Sequence, residues 1–181
     1  MTKSLLVVVD MQNDFIDGAL GTKEAESIVP NVVSKIRSWE GEIIATKDTH
    51  EINYMHTREG RFLPVPHCIK GTDGWNIRTE VQNALNEKNA IILEKQSFGS
   101  IELPKLIEKK SYEKICFIGL CTDVCVISNA LIVKIIFPEM DIEVDESCCA
   151  GVTKLKHDEA IDVMRSCQVE ISGGSAAQSN K

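Results

Sequence analysis

No basic cluster interrupts this 181-residue chain. Its 20 lysines and arginines are scattered among 27 acidic residues, for a net charge of -7. A phosphate backbone or an anionic membrane surface finds no electrostatic footprint here, so nucleic acid and lipid are not expected partners. Nor is there a bilayer-length apolar run near the start: Leu5 to Val9 is ended by Asp10, and the opening residues do not read as a signal peptide. A cytoplasmic protein is the expectation. Seven cysteines, at 68, 116, 121, 125, 148, 149 and 167, are an odd number, which argues against a disulfide framework. Paired thiolates at short spacing are missing too, because Cys148 and Cys149 are adjacent and Cys68 is distant, so a zinc-ribbon reading fails. No internal repeat, linker, glycine-rich dinucleotide fingerprint or phosphate-binding loop is present.

What is present is apolar material for one core: 43% of the residues are hydrophobic, and one domain is expected over residues 1–172, with a disordered polar tail over 173–181. Six strand-like runs stand out: Leu5 to Val9, Glu42 to Thr46, Ala90 to Leu93, Lys114 to Ile118, Asp141 to Val144 and Gln168 to Ile171. Between them, Ile28, Val29, Val32, Val33, Ile36 and Trp39 recur at helical spacing, as do Ala160, Ile161, Met164 and Cys167. Segments 76–87, 103–110 and 123–136 read as further helices. The alternation predicts an α/β fold: a six-stranded, mainly parallel sheet with helices on both faces. Cys116 in a strand and Cys167 on a helical apolar stripe read as small core hydrophobes. From Asp48 to about Trp75 there is no period, yet the stretch holds three of the four histidines, as functional loops do. The fourth, His157 on the last helix, reads as structural or surface.

Ligands of open parallel sheets bind at the carboxyl ends of the strands. Asp10 ends the first strand, Lys95 follows the third, and Cys125 follows the fourth after Gly119-Leu120-Cys121-Thr122-Asp123. With Thr122 or Asp123 as a helix N-cap, Cys125 falls in a first turn whose free N–H groups favour a thiolate and can hold an oxyanion. Position alone favours a buried helical cysteine. Cys121 in the turn offers its backbone. Asp10 could take a thiol proton or simply cap its turn, and Lys95 could pair with both or stand in solvent. A second constellation joins Asp48-Thr49-His50 to His67. An Asp and a His two apart at a strand end, with a later His, can share one divalent ion and leave positions open, as in catalytic rather than structural metal sites. His56 and Glu59 in the same loop are further candidates to join that ion or support its ligands.

Together these residues resemble the isochorismatase-like cysteine hydrolase superfamily, and within it the nicotinamidase/pyrazinamidase group. The resemblance runs from Leu5 to about Ile171 and is carried by LLVVVDMQNDF (5–15), KDTH (47–50), PHCIKGTDG (66–74), EKQSF (94–98), GLCTDVCV (119–126) and VDESCCAG (144–151). It implies a three-layer Rossmann-like fold. Cys125 would be the nucleophile, Asp10 the general base and Lys95 its cationic partner. The backbone N–H groups of Cys121 and Cys125 would form the oxyanion hole beside a cis Leu120-Cys121 peptide. The metal, zinc or else manganese or iron, would be held by Asp48, His50 and His67, anchoring a pyridine nitrogen while Phe15 packs on the ring. The implied reaction is nicotinamide plus water to nicotinate and ammonia, with pyridine nucleotide salvage as the setting and a homo-oligomer as the usual form. Relatives acting on N-carbamoyl or ureido acids generally lack the metal set, and isochorismatase proper lacks the cysteine. A non-catalytic binding or redox-sensing relative would not need Asp10, Lys95 and Cys125 together. Phe62-Leu63-Pro64-Val65-Pro66 and Asp48-Thr49-His50 depart from the group's usual aromatic positions.

Overall fold

The computed structural model describes residues 3–174; from residue 175 onward the expected tail lies outside the described residues. Six strands form one sheet: β1 (Ser4–Val9), β2 (Glu42–Asp48), β3 (Ile91–Lys95), β4 (Lys114–Leu120), β5 (Asp141–Ala150) and β6 (Glu170–Ser172), in the order β3-β2-β1-β4-β5-β6. Every pairing is parallel, where the sequence predicted a mainly parallel sheet. The chain builds outward from β1 to one edge and then crosses to build the other half from β4. That reversal is the topological switch point where such sheets bind ligands.

Helices cover both faces. On one side, α2 (Lys23–Ser38) and α4 (Thr79–Glu87) bury Ile28, Val32, Ile36, Val81 and Leu85 against Leu6, Val8 and Ile118. On the other, α5 (Glu102–Glu108), α6 (Ile127–Ile136) and α7 (Lys154–Ser166) bury Leu103, Val133 and Met164 against Leu5, Val7 and Phe117. Both faces of β1 are therefore covered, which is why Leu5 to Val9 is a continuous apolar run. The helix limits follow from local chemistry. Thr22 and Thr153 accept hydrogen bonds from Ala25 N and Lys156 N at the starts of α2 and α7, and α2 carries Glu24 and Glu26 in its first turn and Lys35 and Arg37 in its last. A one-turn α1 (Asn13–Ile16) follows β1, and a five-residue α3 (Arg58–Phe62) lies in the otherwise aperiodic loop.

Three expectations change. β5 does not stop at Val144: it breaks register with β4, advancing five residues where β4 advances two, and re-pairs at Cys149 and Ala150. The bulged residues are polar, which hid the second half of the strand. The fourth helix begins not at 123 but as a π-helical turn, Thr122–Val126, that runs into α6. Cys167 is exposed just beyond α7 and is no part of the core, whereas Cys116 is fully buried as expected.

The bulge also anchors the sheet to α2. Asp145, 7% exposed, pairs with Lys35 at 2.7 Å and accepts from Ser147 Oγ. Burial alone would raise the Asp145 pKa, but the Lys35 and Ser147 bonds outweigh it and lower the value. A carboxylate with a depressed folded pKa adds stability above its unfolded pKa and loses it as pH falls through the folded value. Asp145→Asn is expected to cost about 1–3 kcal/mol at pH 7, a difference that shrinks as pH falls through the depressed folded pKa of Asp145, measured by urea unfolding across pH.

Candidate active site and metal centre

The carboxyl ends of the four central strands converge. Val9 pairs with Gly119 and Asp48 with Lys95, so the residues that follow β1 and β4, and those that end β2 and β3, meet at one place. Close approach is what Gly119 provides: a Cβ there would lie 2.1 Å from Val9 O, and its φ of +117 favours glycine. Asp10 also sits at positive φ (47), a conformation rare for a side chain and held here by main-chain bonds from Asp10 N to Thr46 O and from Gln12 N to Asp10 O.

Asp10 is fully buried. Its Oδ2 pairs with Lys95 Nζ at 2.6 Å, and its Oδ1 accepts from Thr46 Oγ1 at 2.7 Å. Lys95, 5% exposed, also reaches Asp48 Oδ1 at 3.3 Å and Cys125 Sγ at 3.6 Å. One ammonium thus touches both carboxylates and the thiol. Burial raises the Asp10 pKa and the charge of Asp48 adds to the rise, while Lys95 and Thr46 only partly offset it. Burial and then the Asp10 charge push the Cys125 thiol well above its ordinary value. For Lys95 burial acts against the charge, but Asp10, Cys125 and Asp48 overcome it and keep the amine protonated. Burial and the Asp10 charge thus favour the thiol form of Cys125, and a carboxylate of raised pKa shares its lysine.

The Cys125 turn is held partly as expected and partly not. Leu120-Cys121 is a cis peptide, as the resemblance implied. Neither Thr122 nor Asp123 caps the helix; Cys121 precedes the π turn without a side-chain cap. Thr122 Oγ1 instead bonds His157 Nδ1 at 2.8 Å, and Asp123 Oδ1 accepts from Val152 N at 2.9 Å. His157, read from sequence as structural or surface, braces the turn from α7. Burial pushes the Cys121 thiol up to about 12, consistent with a contribution through its backbone alone.

Beside this trio, Asp48, His50 and His67 place their ligand atoms within 4.8 Å of one another, all three residues buried. Asp48 Oδ2 is 3.1 Å from His50 Nε2 and 3.8 Å from His67 Nε2. The donors suit a divalent ion. His50 Nε2 is buried with no hydrogen-bond partner, and His67 Nδ1 lies 2.8 Å from the Val65 carbonyl, which can only accept, so its Nε2 carries the free lone pair. Glu59 Oε1 reaches both imidazoles, at 3.6 and 3.8 Å, and joins the cluster; His56 is exposed and does not. Gln12 clasps the Asp48 backbone, accepting from its N–H at 2.7 Å and donating to its carbonyl at 2.8 Å. Tyr54, 1% exposed, packs its ring 4.8 and 5.1 Å from the two imidazoles, and Phe15 lies 5.5 Å from His67. Gln12, Thr46 and Tyr54 were not singled out from sequence, although Gln12 lies within the 5–15 motif and Thr46 closes the second strand-like run. A cavity of about 400 Å³ between β3 and α5 reaches Lys95, with Thr49, Ser97 and Ser100 on its walls.

Residues 4–175 match the model of the isochorismatase domain. The chain belongs to the isochorismatase family. It is similar to the nicotinamidase of Saccharomyces cerevisiae, at 24% identity over 173 aligned residues covering 70% of this chain and 79% of the relative. The pyrazinamidase of Pyrococcus horikoshii, solved in complex with zinc, superposes with a TM-score of 0.77 at 26% identity, over 95% of this chain and 99% of that one. The nicotinamidase of Bacillus subtilis superposes at 0.83 with 23% identity, over 94% and 100%, a likeness of fold. The three-layer Rossmann-like expectation stands among these structures.

If the cluster holds a metal, zinc affinity in chelator competition should fall by more than about 100-fold in His67→Ala and by about tenfold in Gln12→Met, and stay unchanged in His56→Ala.

Proposed function

We propose that the chain is a metal-dependent cysteine amidase of the nicotinamidase type, turning nicotinamide or a close heteroaromatic amide into the acid and ammonia through a thioester on Cys125. One observation carries the reading: the buried Lys95 ammonium touches both Asp10 and the Cys125 sulfur beside a cluster of metal-competent donors. The similar nicotinamidases and pyrazinamidases support the choice of amide.

Asp10 accepts the Cys125 proton, which its raised pKa favours, and Lys95 faces the sulfur as it becomes anionic. The sulfur attacks the carboxamide carbon, and the oxygen takes up the charge toward the N–H groups of Cys121 and Cys125. Asp10 returns the proton to the amide nitrogen, the C–N bond breaks, and ammonia leaves a thioester. Water then gives a proton to Asp10 as it attacks the thioester carbon; the acid departs and the sulfur regains its proton. Asp48, His50 and His67, with Glu59 in reach, would hold the divalent ion. When bound, that ion supplies a Lewis-acidic contact for the pyridine nitrogen; zinc suits the mixed nitrogen and oxygen donors, with manganese or iron as alternatives. Phe15 supplies an apolar wall beside the ligands. A single domain, acting as a homo-oligomer in a reducing, cytoplasmic setting, completes the proposal, in keeping with free thiols at all seven cysteines and no helix of the described residues long and apolar enough to cross a membrane.

Ammonia release from nicotinamide is the direct test, with N-carbamoyl amino acids in parallel; faster release from the carbamoyl compounds would overturn the nicotinamidase reading. Cys125→Ala is expected to lower the rate by at least about 1,000-fold while retaining bound metal. The pH profile gives a second check. Asp10 must be ionised to accept the proton, so the rate rises with pH through its pKa; Thr46→Val removes a bond that favours the charged form. The acid limb of kcat/KM should therefore move to higher pH.

A further inference from the structure

Lys95 and Cys125 come from different halves of the sheet, so the loop that leaves Lys95 needs its own link to the segment that carries the sulfur. Gln96, Ser97 and Phe98, which follow the lysine, are exposed, so apolar burial does little to hold this loop. One side chain does hold it. Asn129, on α6 one turn beyond the nucleophile, is fully buried. Its Nδ2 donates to Cys125 O at 2.8 Å and to Phe98 O at 3.1 Å, and its Oδ1 accepts from Ser100 N at 2.9 Å. Both amide hydrogens are used, one on the main chain of the nucleophile and one on the loop that leaves Lys95. Ser100 extends the tie, since its Oγ accepts from Glu102 N and Leu103 N at the start of α5. The loop backbone lies so close to α6 that a Cβ on Gly99 would come within 2.4 Å of Ile132 Cδ1.

We propose that Asn129 is a positioning residue that fastens the Lys95 strand end to the Cys125 turn and so sets the lysine-to-sulfur contact. The proposal rests on Cys125 being the nucleophile. Without the tie, the exposed loop can draw away from α6, and the ammonium no longer faces the sulfur at a fixed distance. Misplacement on the scale of 1 Å is enough to cost a catalytic step about 100-fold. A buried apolar side chain would pack as well in this position but would leave the Cys125 and Phe98 carbonyls without this donor.

The test compares two side chains of one shape. On a helix, threonine can donate its hydroxyl to the carbonyl four residues back, which for position 129 is that of Cys125; valine cannot. Asn129→Val is expected to lower kcat for nicotinamide by about 20-fold with KM within about threefold, and to slow alkylation of Cys125 by iodoacetamide, read by mass spectrometry of its peptide, by about tenfold. Asn129→Thr keeps a donor to Cys125 O but has none that spans to Phe98 O, so both of its rates should stay within about threefold of the valine variant. Threonine restoring wild-type rates in either measurement, or alkylation of the valine variant as fast as wild type or faster, overturns the proposal; the first would leave only the bond within α6, and the second would make the loop a cover only. Should the valine variant fail to fold, Asn129→Ser against Asn129→Ala makes the same comparison with small side chains. Alkylation needs no substrate, so a wild-type protein inert toward nicotinamide would sink the substrate reading while leaving Asn129 to be decided by the thiol.

Discussion

One lysine ammonium shared by two buried carboxylates is the constraint around which this molecule is arranged. Taking Lys95, Asp10 and Asp48 out of water is costly for each charge, and an interior of this kind persists only when every charge finds a partner. The Lys95 ammonium meets Asp10 at 2.6 Å and Asp48 at 3.3 Å, Thr46 supplies a further bond to Asp10, and Gln12 fixes the Asp48 backbone. These partners come from three adjacent strand ends. The register that places Asp48 opposite Lys95 is therefore as much an electrostatic requirement as a matter of apolar pattern.

The same cluster divides the chemistry. On one side, Lys95 faces the Cys125 sulfur; on the other, the second oxygen of Asp48 faces His50 and His67. A single carboxylate thus belongs to the proton-transfer group and to the metal-competent group, which fixes their separation without any loop having to do so. Burial raises both the Asp10 carboxyl and the Cys125 thiol, so in the proposed mechanism the sulfur anion forms as its proton passes to Asp10. The braces around the Cys125 turn come from outside the sheet, with His157 and Val152 at the α7 end and Asn129 within α6.

Much of the fold was legible in the sequence because parallel strands buried on both faces leave continuous apolar runs such as Leu5 to Val9, and amphipathic helices leave the spacing of Ile28, Val32 and Ile36. Where local pattern and tertiary packing disagreed, the pattern misled. The polar bulge at Asp145 to Cys148 read as the end of a strand, although the strand re-pairs at Cys149. Cys167 kept the helical spacing but fell just past the helix, in solvent. Thr122 and Asp123 are good capping residues by type, yet both spend their oxygens on the segment that begins α7.

The sequence by itself determined which residues could carry chemistry, because Asp10, Asp48, His50, Lys95 and Cys125 each lie at or just beyond the end of an apolar run, and a parallel sheet must bring such ends to one edge. Only the tertiary structure decided how they are wired. That Glu59 and not His56 meets the imidazoles, that burial favours the thiol form of Cys125, and that Thr46, Gln12, His157 and Asn129 hold the centre in place depend on contacts between residues tens of positions apart. Local pattern reports which face a residue presents, whereas hydrogen-bond partners and desolvation are properties of the packed interior and exist only once it has formed.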